Sequence, residues 1–494
     1  MTTTATTGRE AAAHEHGHAR NRFAVIPTYE RLGADTRLAG RGVTVAFLDS
    51  GFYPHPDLCE PRNRVVAYKD VTGEEPSLDG SFISGRAPES WHWHGTMVAV
   101  AAAGNGRLSD GAYRGLASEA DVVLVKASAG GRITEGSMVR GIEWVVENRE
   151  RLNIRVLNIS LGGEADLPHT LSAIDRAAEA AAAAGIVVVA AAGNSGCGER
   201  PHSIPPANSP SVITVGGYSD GNRLDAEGFE LYCSNHGATA GGIVKPELIA
   251  PAMYVAAPIL PNTPSYRTAE ALSRLAHAPD YQLRGLLREL WREAELPEWI
   301  LDAVTGEARA AVESNLRERK VVATHYQHAD GTSFAAPVVS SVVAQMLEAN
   351  PRLTPAAVRA ILVSTCVRVA GAPLLRQGYG MLDARRAVEE AAREHHLLTA
   401  ENFGPPRVVG GNLVFSYHDD AASGVALAGD FNGWEPSQLK REGDGLWRVS
   451  LDLPPAGRHR YKFVVDGGRW TDDPSNGLKE HDGFGGLNSI LNLA

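Results

Sequence analysis

Five short runs of β-branched and other apolar residues, at 43–48, 122–125, 156–159, 186–190 and 212–215, recur through the first half of the chain. They do not alternate regularly with polar residues. The strands they encode must therefore be covered on both faces, which is the condition of a parallel sheet. Helix-like segments lie between them at 95–103, 137–148 and 171–184, the last followed by Gly185 as a C-terminal cap. Strand-then-helix repetition predicts an α/β fold built on a doubly wound, mostly parallel sheet. In such a sheet, chemistry is placed in loops at the carboxyl ends of the strands.

Three segments fall at the ends of these elements, Asp49 in V-A-F-L-D-S-G, His94 in W-H-G-T and Asn194 in A-A-A-G-N-S-G, and a fourth, Ser333 in G-T-S-F-A-A-P, opens a later helix. Hydrolysis of a peptide bond needs a nucleophile, a base to activate it and donors for the oxyanion formed on attack. Ser333 opens a helix read through 338–347, so its hydroxyl sits where backbone N–H groups face developing negative charge. Pro337 is placed in the first turn of that helix, where a missing N–H is tolerated. His94 opens another helix and Asp49 ends a buried strand, which lets three distant loops converge. His92 lies close by across Trp93, and the helix-opening H-G-T context selects His94 as the base. Plainer uses exist for two of them: Asp49 as a turn cap and Asn194 as a turn-former.

In the order acid, base, oxyanion donor, nucleophile, these segments resemble the subtilisin family of serine proteases. The resemblance covers nearly all of 23–400, including the helical patterns N-P-R-L-T-P-A-A-V-R-A-I-L-V-S-T and Q-G-Y-G-M-L-D-A-R-R-A-V near its end. It implies Ser333 as nucleophile, His94 as general base and then acid, and Asp49 as the group orienting the imidazolium. The Asn194 amide and the Ser333 N–H become the oxyanion donors.

The resemblance also implies a cleft in which an extended peptide adds as a strand between two segments. These are S-L-G-G, carrying Ser160, Leu161 and Gly162, and A-G-G-R, carrying Gly130 and Gly131. The pocket for the side chain before the scissile bond is expected between 160–163 and 191–194. Neither stretch holds a carboxylate, though Glu164 and Glu199 are near, so that preference stays open. No cofactor is required for the chemistry. A structural calcium is suggested because Asp57 in H-P-D-L matches a ligand of many relatives, with the loop 104–115 placed to supply others. Met97 departs from the H-G-T-H of many relatives. The core starts within about 25 residues of Met1, leaving no room for a folding pro-domain, so another control on activity is expected.

Residues from about 259 to 322 carry strong helical periodicity, with Leu283, Leu286, Leu287, Leu290 and Trp291 on one face. They read as a helical insertion beside the site, extending the core or serving as a lid or docking element. A Pro/Gly linker spans 401–411. Beyond it, 446–453 alternates, and turns fall at 430–433, 443–445 and 466–468, predicting a small antiparallel, immunoglobulin-like β-sandwich over 412–494.

V-A-L-A-G-D-F-N-G-W, R-Y-K-F-V-V-D-G-G-R-W-T-D-D-P and G-L-N-S-I-L-N-L resemble the glycogen-binding module of AMP-activated kinase β subunits and starch-branching enzymes. The resemblance implies Trp434 and Trp470 as a pair stacking on sugar faces, Lys462 and Asn488 as polar contacts, and Phe484 as an apolar residue inserting into the glucan. Gly486 stands where that module has a hydroxyl side chain, so one contact is lost. Trp447 is expected in the core.

A net charge of −11, with no Lys/Arg-rich block to override it, argues against nucleic acid or an anionic membrane as partner. No apolar run reaches the roughly 18 residues needed to span a bilayer. The N-terminal 22 residues read as a flexible tail without a secretory h-region; His14, His16 and His18 alternate there as compositional drift. Cys197 and Cys233 flank one loop-rich stretch where a bridge is conceivable, but Cys59, Cys197, Cys233 and Cys366 are expected to be free thiols. Together these predict a cytoplasmic serine endopeptidase acting on peptide or protein and localised to glycogen or another α-glucan. Two alternatives are a processing protease for one partner, with the sandwich as interaction or autoinhibitory domain, and a catalytically silent glucan-binding scaffold. Oligomeric state is not legible.

Overall fold

The computed structural model describes residues 25–493 apart from 74–77, 80–87, 164–166, 199–201, 226–227, 395–402 and 444. His14, His16, His18, Glu164 and Glu199 lie outside the described residues. Strand Thr44–Asp49 sits at the centre of the main sheet, parallel to Asp121–Lys126 on one side and Ile154–Ile159 on the other. Val65–Asp70 extends the sheet past the first neighbour; Val187–Ala191, Ile213–Ser219 and Leu248–Pro251 extend it past the second. The chain thus winds outward, returns and reverses direction across Thr44–Asp49. The crevice at the carboxyl end of this strand is the topological switch point.

Burial explains why the runs do not alternate. Val45 and Phe47 face a core shared with helices His92–Ala103 and Thr332–Ala349, while Ala46 and Leu48 face one shared with Glu135–Asn148 and Ala173–Ala183. Each face needs its own helical cover, so every position in the strand is apolar or at an end.

The insertion is three helices, Pro264–His277, Asp280–Leu290 and Thr305–Glu318, around a core that includes Leu272, Leu283, Leu287, Ile300, Val312 and Leu316. Its two ends are held together by antiparallel pairing of Val255–Pro258 and Val321–Ala323 with Tyr326–Ala329, which runs on into the Ser333 loop. No described helix is long and apolar enough to cross a membrane.

The C-terminal β-sandwich packs two antiparallel sheets around Phe415, Tyr417, Leu427, Trp447, Tyr461 and Phe463. Arg407–Val409 pairs with Asn412–His418, so the sandwich begins inside the segment expected as linker. Nor is it a module on a loose tether. Val244 N–H donates to the Gly477 carbonyl at 2.7 Å, and the Tyr379 hydroxyl donates to Asp472 Oδ2 at 2.9 Å. Lys479 reaches both Tyr379 and Asp472. Arg359 donates to the Pro474 carbonyl at 2.7 Å and pairs with Glu247 at 2.9 Å, which Lys245 neutralises from 2.8 Å. These buried charges carry their counter-charges into the interior, the condition for tolerating them there.

Two of the expected free thiols are bridged: Cys197 and Cys233 form a disulfide, with Cα atoms 5.2 Å apart. The loop after Asn194 folds back on the chain around residue 234, Gly196 N–H donating to the Cys233 carbonyl at 2.9 Å, which brings the two cysteines into register. A separation of 36 residues along the chain carries no sign of that meeting. The cysteines therefore lend no support to the expected cytoplasmic location. Cys59 and Cys366 are free, and burial pushes their thiols up to about 11 and about 12.

Candidate active site

At the switch point His94 Nδ1 lies 2.8 Å from Asp49 Oδ1. Asp49 is fully buried, and the same oxygen accepts the Ser50 N–H at 2.7 Å. The H-G-T triplet explains the approach. A Cβ on Gly95 would lie 2.4 Å from the Gly51 carbonyl and 2.9 Å from Asp49 Cβ, so only glycine lets the helix meet the strand end. The Thr96 hydroxyl donates to the His92 carbonyl at 2.6 Å and accepts the Tyr53 N–H at 2.8 Å, fastening the first turn. His92 is turned away from this contact: it is buried, and its Nδ1 accepts the Glu89 N–H at 2.9 Å. Burial alone would depress the pKa of His94, but the Asp49 charge and hydrogen bond outweigh it and hold the imidazole above its ordinary value.

Ser333 is the second residue of helix Thr332–Ala349, after Gly331 at φ +135°. The Phe334 ring lies 6.1 Å from that of His94. The Ser333 hydroxyl donates to the Ser160 carbonyl at 3.2 Å rather than to His94. Such contacts are commonly loose without substrate and tighten when it binds. Pro337 falls beyond the first turn, contrary to expectation, and lies inside the helix. Its missing N–H would have bonded the Ser333 carbonyl. The Ser160 hydroxyl takes that place at 2.9 Å, and Asn158 supports it, linking Ser160 at 3.0 Å to Ser340 at 2.9 Å.

Asn194 Oδ1 accepts both the Thr332 N–H at 2.9 Å and the Thr332 hydroxyl at 3.0 Å. With its oxygen engaged, the amide NH₂ is the end left to donate. The loop carrying it is pinned by Asn235, whose Oδ1 accepts the Ser195 N–H at 2.6 Å and whose Nδ2 donates to the His202 carbonyl at 2.7 Å. Gly193 lies at φ +104°, and a Cβ there would strike Asn235 at 2.8 Å. Asn158, Asn235 and Thr332 escape sequence reasoning. Asn235 follows Cys233 in Y-C-S-N-H, but only the folded loop shows what either residue holds.

A cleft of about 520 Å³ runs past this centre, lined by Ser50, Trp91, His94, Gly131 and the stretch from Ser160 through Leu161 to Gly162. Leu161 is half-buried on the core, and a Cβ on Gly162 would lie 2.3 Å from Ile204. The A-G-G-R segment folds into a hairpin. Ser128–Ala129 pairs with Arg132–Ile133, and Gly130 and Gly131 turn at φ +54° and +79°. Gly131 alone of that pair lines the cleft. Glu135 was not anticipated; its carboxylate would lie 3.0 Å from a Cβ on Gly163.

The surroundings of Asp57 do not fit calcium. Its carboxylate is fully buried and accepts the Tyr326 hydroxyl at 2.6 Å and the Leu108 N–H at 3.2 Å. Calcium needs six or more oxygens turned toward it, whereas these groups turn protons toward the carboxylate. Arg107 of the same loop pairs with Glu60 at 3.0 Å. Sequence spacing could not reveal that Tyr326 reaches this carboxylate.

On the sandwich, the Trp434 and Trp470 ring centroids are 6.5 Å apart with planes inclined by 40°. Trp434 rests on Ala426, Ala428 and Val464, whereas Trp470 is about half exposed and Phe484 is 96% exposed. Asp482 organises the Phe484 loop, accepting N–H groups from Phe484 at 2.7 Å and Gly486 at 2.9 Å, and pairs with Lys462. Asn488 is nearly buried in the strand Leu487–Leu493, opposite Glu480. The two tryptophans and Phe484 thus offer apolar surface, while Lys462 already has a partner.

A doubly wound parallel sheet with aspartate, histidine, asparagine and serine meeting at its switch point defines the class of subtilisin-like serine hydrolases. The comparisons agree: residues 40–380 match the subtilase family, and residues 412–494 match the glycogen recognition site of AMP-activated protein kinase. The chain belongs to the subtilase family. It is 31% identical over 333 residues to the serine protease AprX of Bacillus subtilis, covering 66% of this chain and 61% of that one. It is 32% identical over 191 residues to the major intracellular serine protease of the same organism, covering 37% of this chain and 54% of that one. The chain therefore spans less than two thirds of either relative. Among solved structures, fervidolysin from Fervidobacterium pennivorans, a keratinolytic enzyme related to subtilisin, superposes with a TM-score of 0.51 at 19% identity, covering 90% of this chain and 57% of that one. The CspB protease of Clostridium perfringens gives 0.52 at 16%, covering 77% and 100%. At these identities the structural likeness speaks for the fold.

Proposed function

We propose that this protein is a serine endopeptidase whose centre is Asp49, His94, Ser333 and Asn194. The observation that carries this is the convergence of a buried Asp49–His94 hydrogen bond with an Asn194 whose amide oxygen is occupied one residue before Ser333. Ser333 Oγ attacks the peptide carbonyl as His94 Nε2 takes its proton. The oxyanion is received by the Asn194 amide and the Ser333 N–H. Collapse breaks the C–N bond, and His94 returns the proton to the leaving amine. Water then repeats the sequence on the acyl-enzyme, with Asp49 stabilising the imidazolium in each half. Peptide or protein is the substrate, and no metal takes part in these steps.

The sandwich is proposed to hold α-glucan through Trp434 and Trp470. Rings of this size bury the apolar face of a pyranose, and tethering raises the local concentration of glucan-associated proteins. Labelling by a fluorophosphonate probe that disappears in Ser333→Ala is the expected result for the peptidase; absence of labelling in the wild type would refute an assembled site. Co-sedimentation with glycogen should weaken about tenfold or more in Trp434→Ala or Trp470→Ala, an effect of the size of a lost aromatic contact. Equal co-sedimentation of all three proteins would exclude glucan binding by this face.

A further inference from the structure

The cleft does not stop at the catalytic histidine. Gly131 and Ser160–Gly162 line it, and in the proposed mechanism the acyl half of a peptide attacked by Ser333 lies against them. The amine half must leave past His94, which protonates it. Across Trp93 from that cleft a second cavity, of about 430 Å³, opens between the His94 helix and the start of the helical insertion. Trp93 and Ser90 line both cavities, so the two are neighbours across one indole ring.

Trp93 stands edge-on to His94, ring centroids 5.3 Å apart, and is 49% exposed. The facing wall is Ile259, Leu260 and Pro264 with the small polar Thr263 and Ser265 among them, and Met97 also lines the pocket. The Gln327 amide nitrogen contacts Met97 Sδ at 3.9 Å. Among the described residues, Glu89 is the one charged residue lining the cavity. Ile259 is anchored by its N–H donating to the His325 carbonyl at 2.8 Å, directly after the antiparallel pairing of Val255–Pro258 with Tyr326–Ala329. The wall contributed by the insertion is therefore fixed to the strand that leads into Ser333.

We propose that this cavity is a subsite for an apolar side chain within the first three residues after the scissile bond, with the helical insertion as its specificity-determining wall. The proposal rests on the protease reading above. Carbon-rich walls favour transfer of an aliphatic or aromatic side chain out of water, and Glu89 disfavours an acidic one. A hydrophobic pocket of this kind discriminates by about tenfold or more between a large apolar side chain and a small polar one.

The test uses internally quenched peptides with one acyl half and either Leu/Phe or Ser/Asp in the three positions after the bond. A peptidyl p-nitroanilide with the same acyl half carries no residue on the leaving side. The expected result is kcat/KM at least about tenfold higher for the Leu/Phe peptides in the wild type. In Ser265→Trp, which fills the cavity from an exposed position in the first turn of Pro264–His277, and separately in Trp93→Ala, the ratio of the two peptides should fall toward one. A ratio cancels any loss of folded enzyme. A wild-type ratio near one, or a ratio kept in both variants, would overturn the subsite alone. A wild type that neither hydrolyses the nitroanilide nor labels with fluorophosphonate would refute the protease reading and the subsite with it.

Discussion

The hydroxyl of Ser160 donates to the carbonyl of Ser333 at 2.9 Å, and the hydroxyl of Ser333 donates back to the carbonyl of Ser160 at 3.2 Å. The first of these bonds exists because Pro337 has no N–H to offer that carbonyl. It ties the wall of the substrate cleft to the helix of the nucleophile. Ser160→Ala leaves the Ser333 carbonyl without its donor in a largely buried setting, so a loss of about 1–3 kcal/mol is expected. Ser160→Thr, which keeps the hydroxyl, should lose less. Chemical unfolding midpoints of the two variants check the difference.

The acid limb of the activity profile is set by His94, which must be neutral to accept the Ser333 proton. Its pKa is raised, so kcat/KM should fall as pH drops through a value above the ordinary 6.5. Asp49→Asn removes the charge that holds it there; the limb should move down and kcat fall by about 10⁴-fold. The sign for stability is separate. A histidine whose folded pKa is raised stabilises the fold below its unfolded pKa, and that contribution disappears as pH rises through the folded pKa. The gap in thermal midpoint between wild type and His94→Gln should therefore narrow from mildly acidic to alkaline pH.

Asn194 and Asn235 should separate by kinetics. Removing the Asn194 amide in Asn194→Ala is expected to lower kcat by about 100- to 1,000-fold with KM little changed, a magnitude itself measured on a subtilisin. Asn235 touches no substrate in this arrangement and acts by holding Ser195 and the His202 carbonyl. Asn235→Ala should lower kcat less than Asn194→Ala does. Asn235→Asp keeps the acceptor for Ser195 N–H and should recover part of the loss, which a merely space-filling role would not produce.

Arg359 links the two domains, pairing with Glu247 and capping the Pro474 carbonyl. Arg359→Met leaves Glu247 with Lys245 as its remaining counter-charge and the Pro474 carbonyl without this donor, and a loss of about 1–3 kcal/mol is expected. Calorimetry should resolve two transitions in the variant where docking makes one in the wild type. A single unshifted transition would show that the interface does not depend on this pair.

Much of this molecule is written locally. A strand buried on both faces must be continuously apolar, so residues 43–48 and 122–125 announce a parallel sheet. Gly95 and Thr96 mark the helix that presents His94, because a close approach and a first-turn tether each demand a particular residue. The alternating residues 446–453 place Trp447 in the sandwich core. Those patterns depend on backbone conformation and burial, which short windows of sequence record. What they do not record is which polar groups meet across long stretches of chain. Tyr326 takes the Asp57 carboxylate that the family resemblance suggested for calcium, Cys197 finds Cys233, Ser160 caps the carbonyl that Pro337 leaves bare, and Lys479 locks onto Tyr379 to dock the sandwich. Each of these partners is fixed by how two loops are brought together on the sheet, and hydrogen bonds and ion pairs act only over a few ångströms. The sequence by itself determined the sheet, its covering helices and the four residues at the switch point. Only the tertiary structure decided their supports, because those contacts come into being when distant loops arrive at the same place.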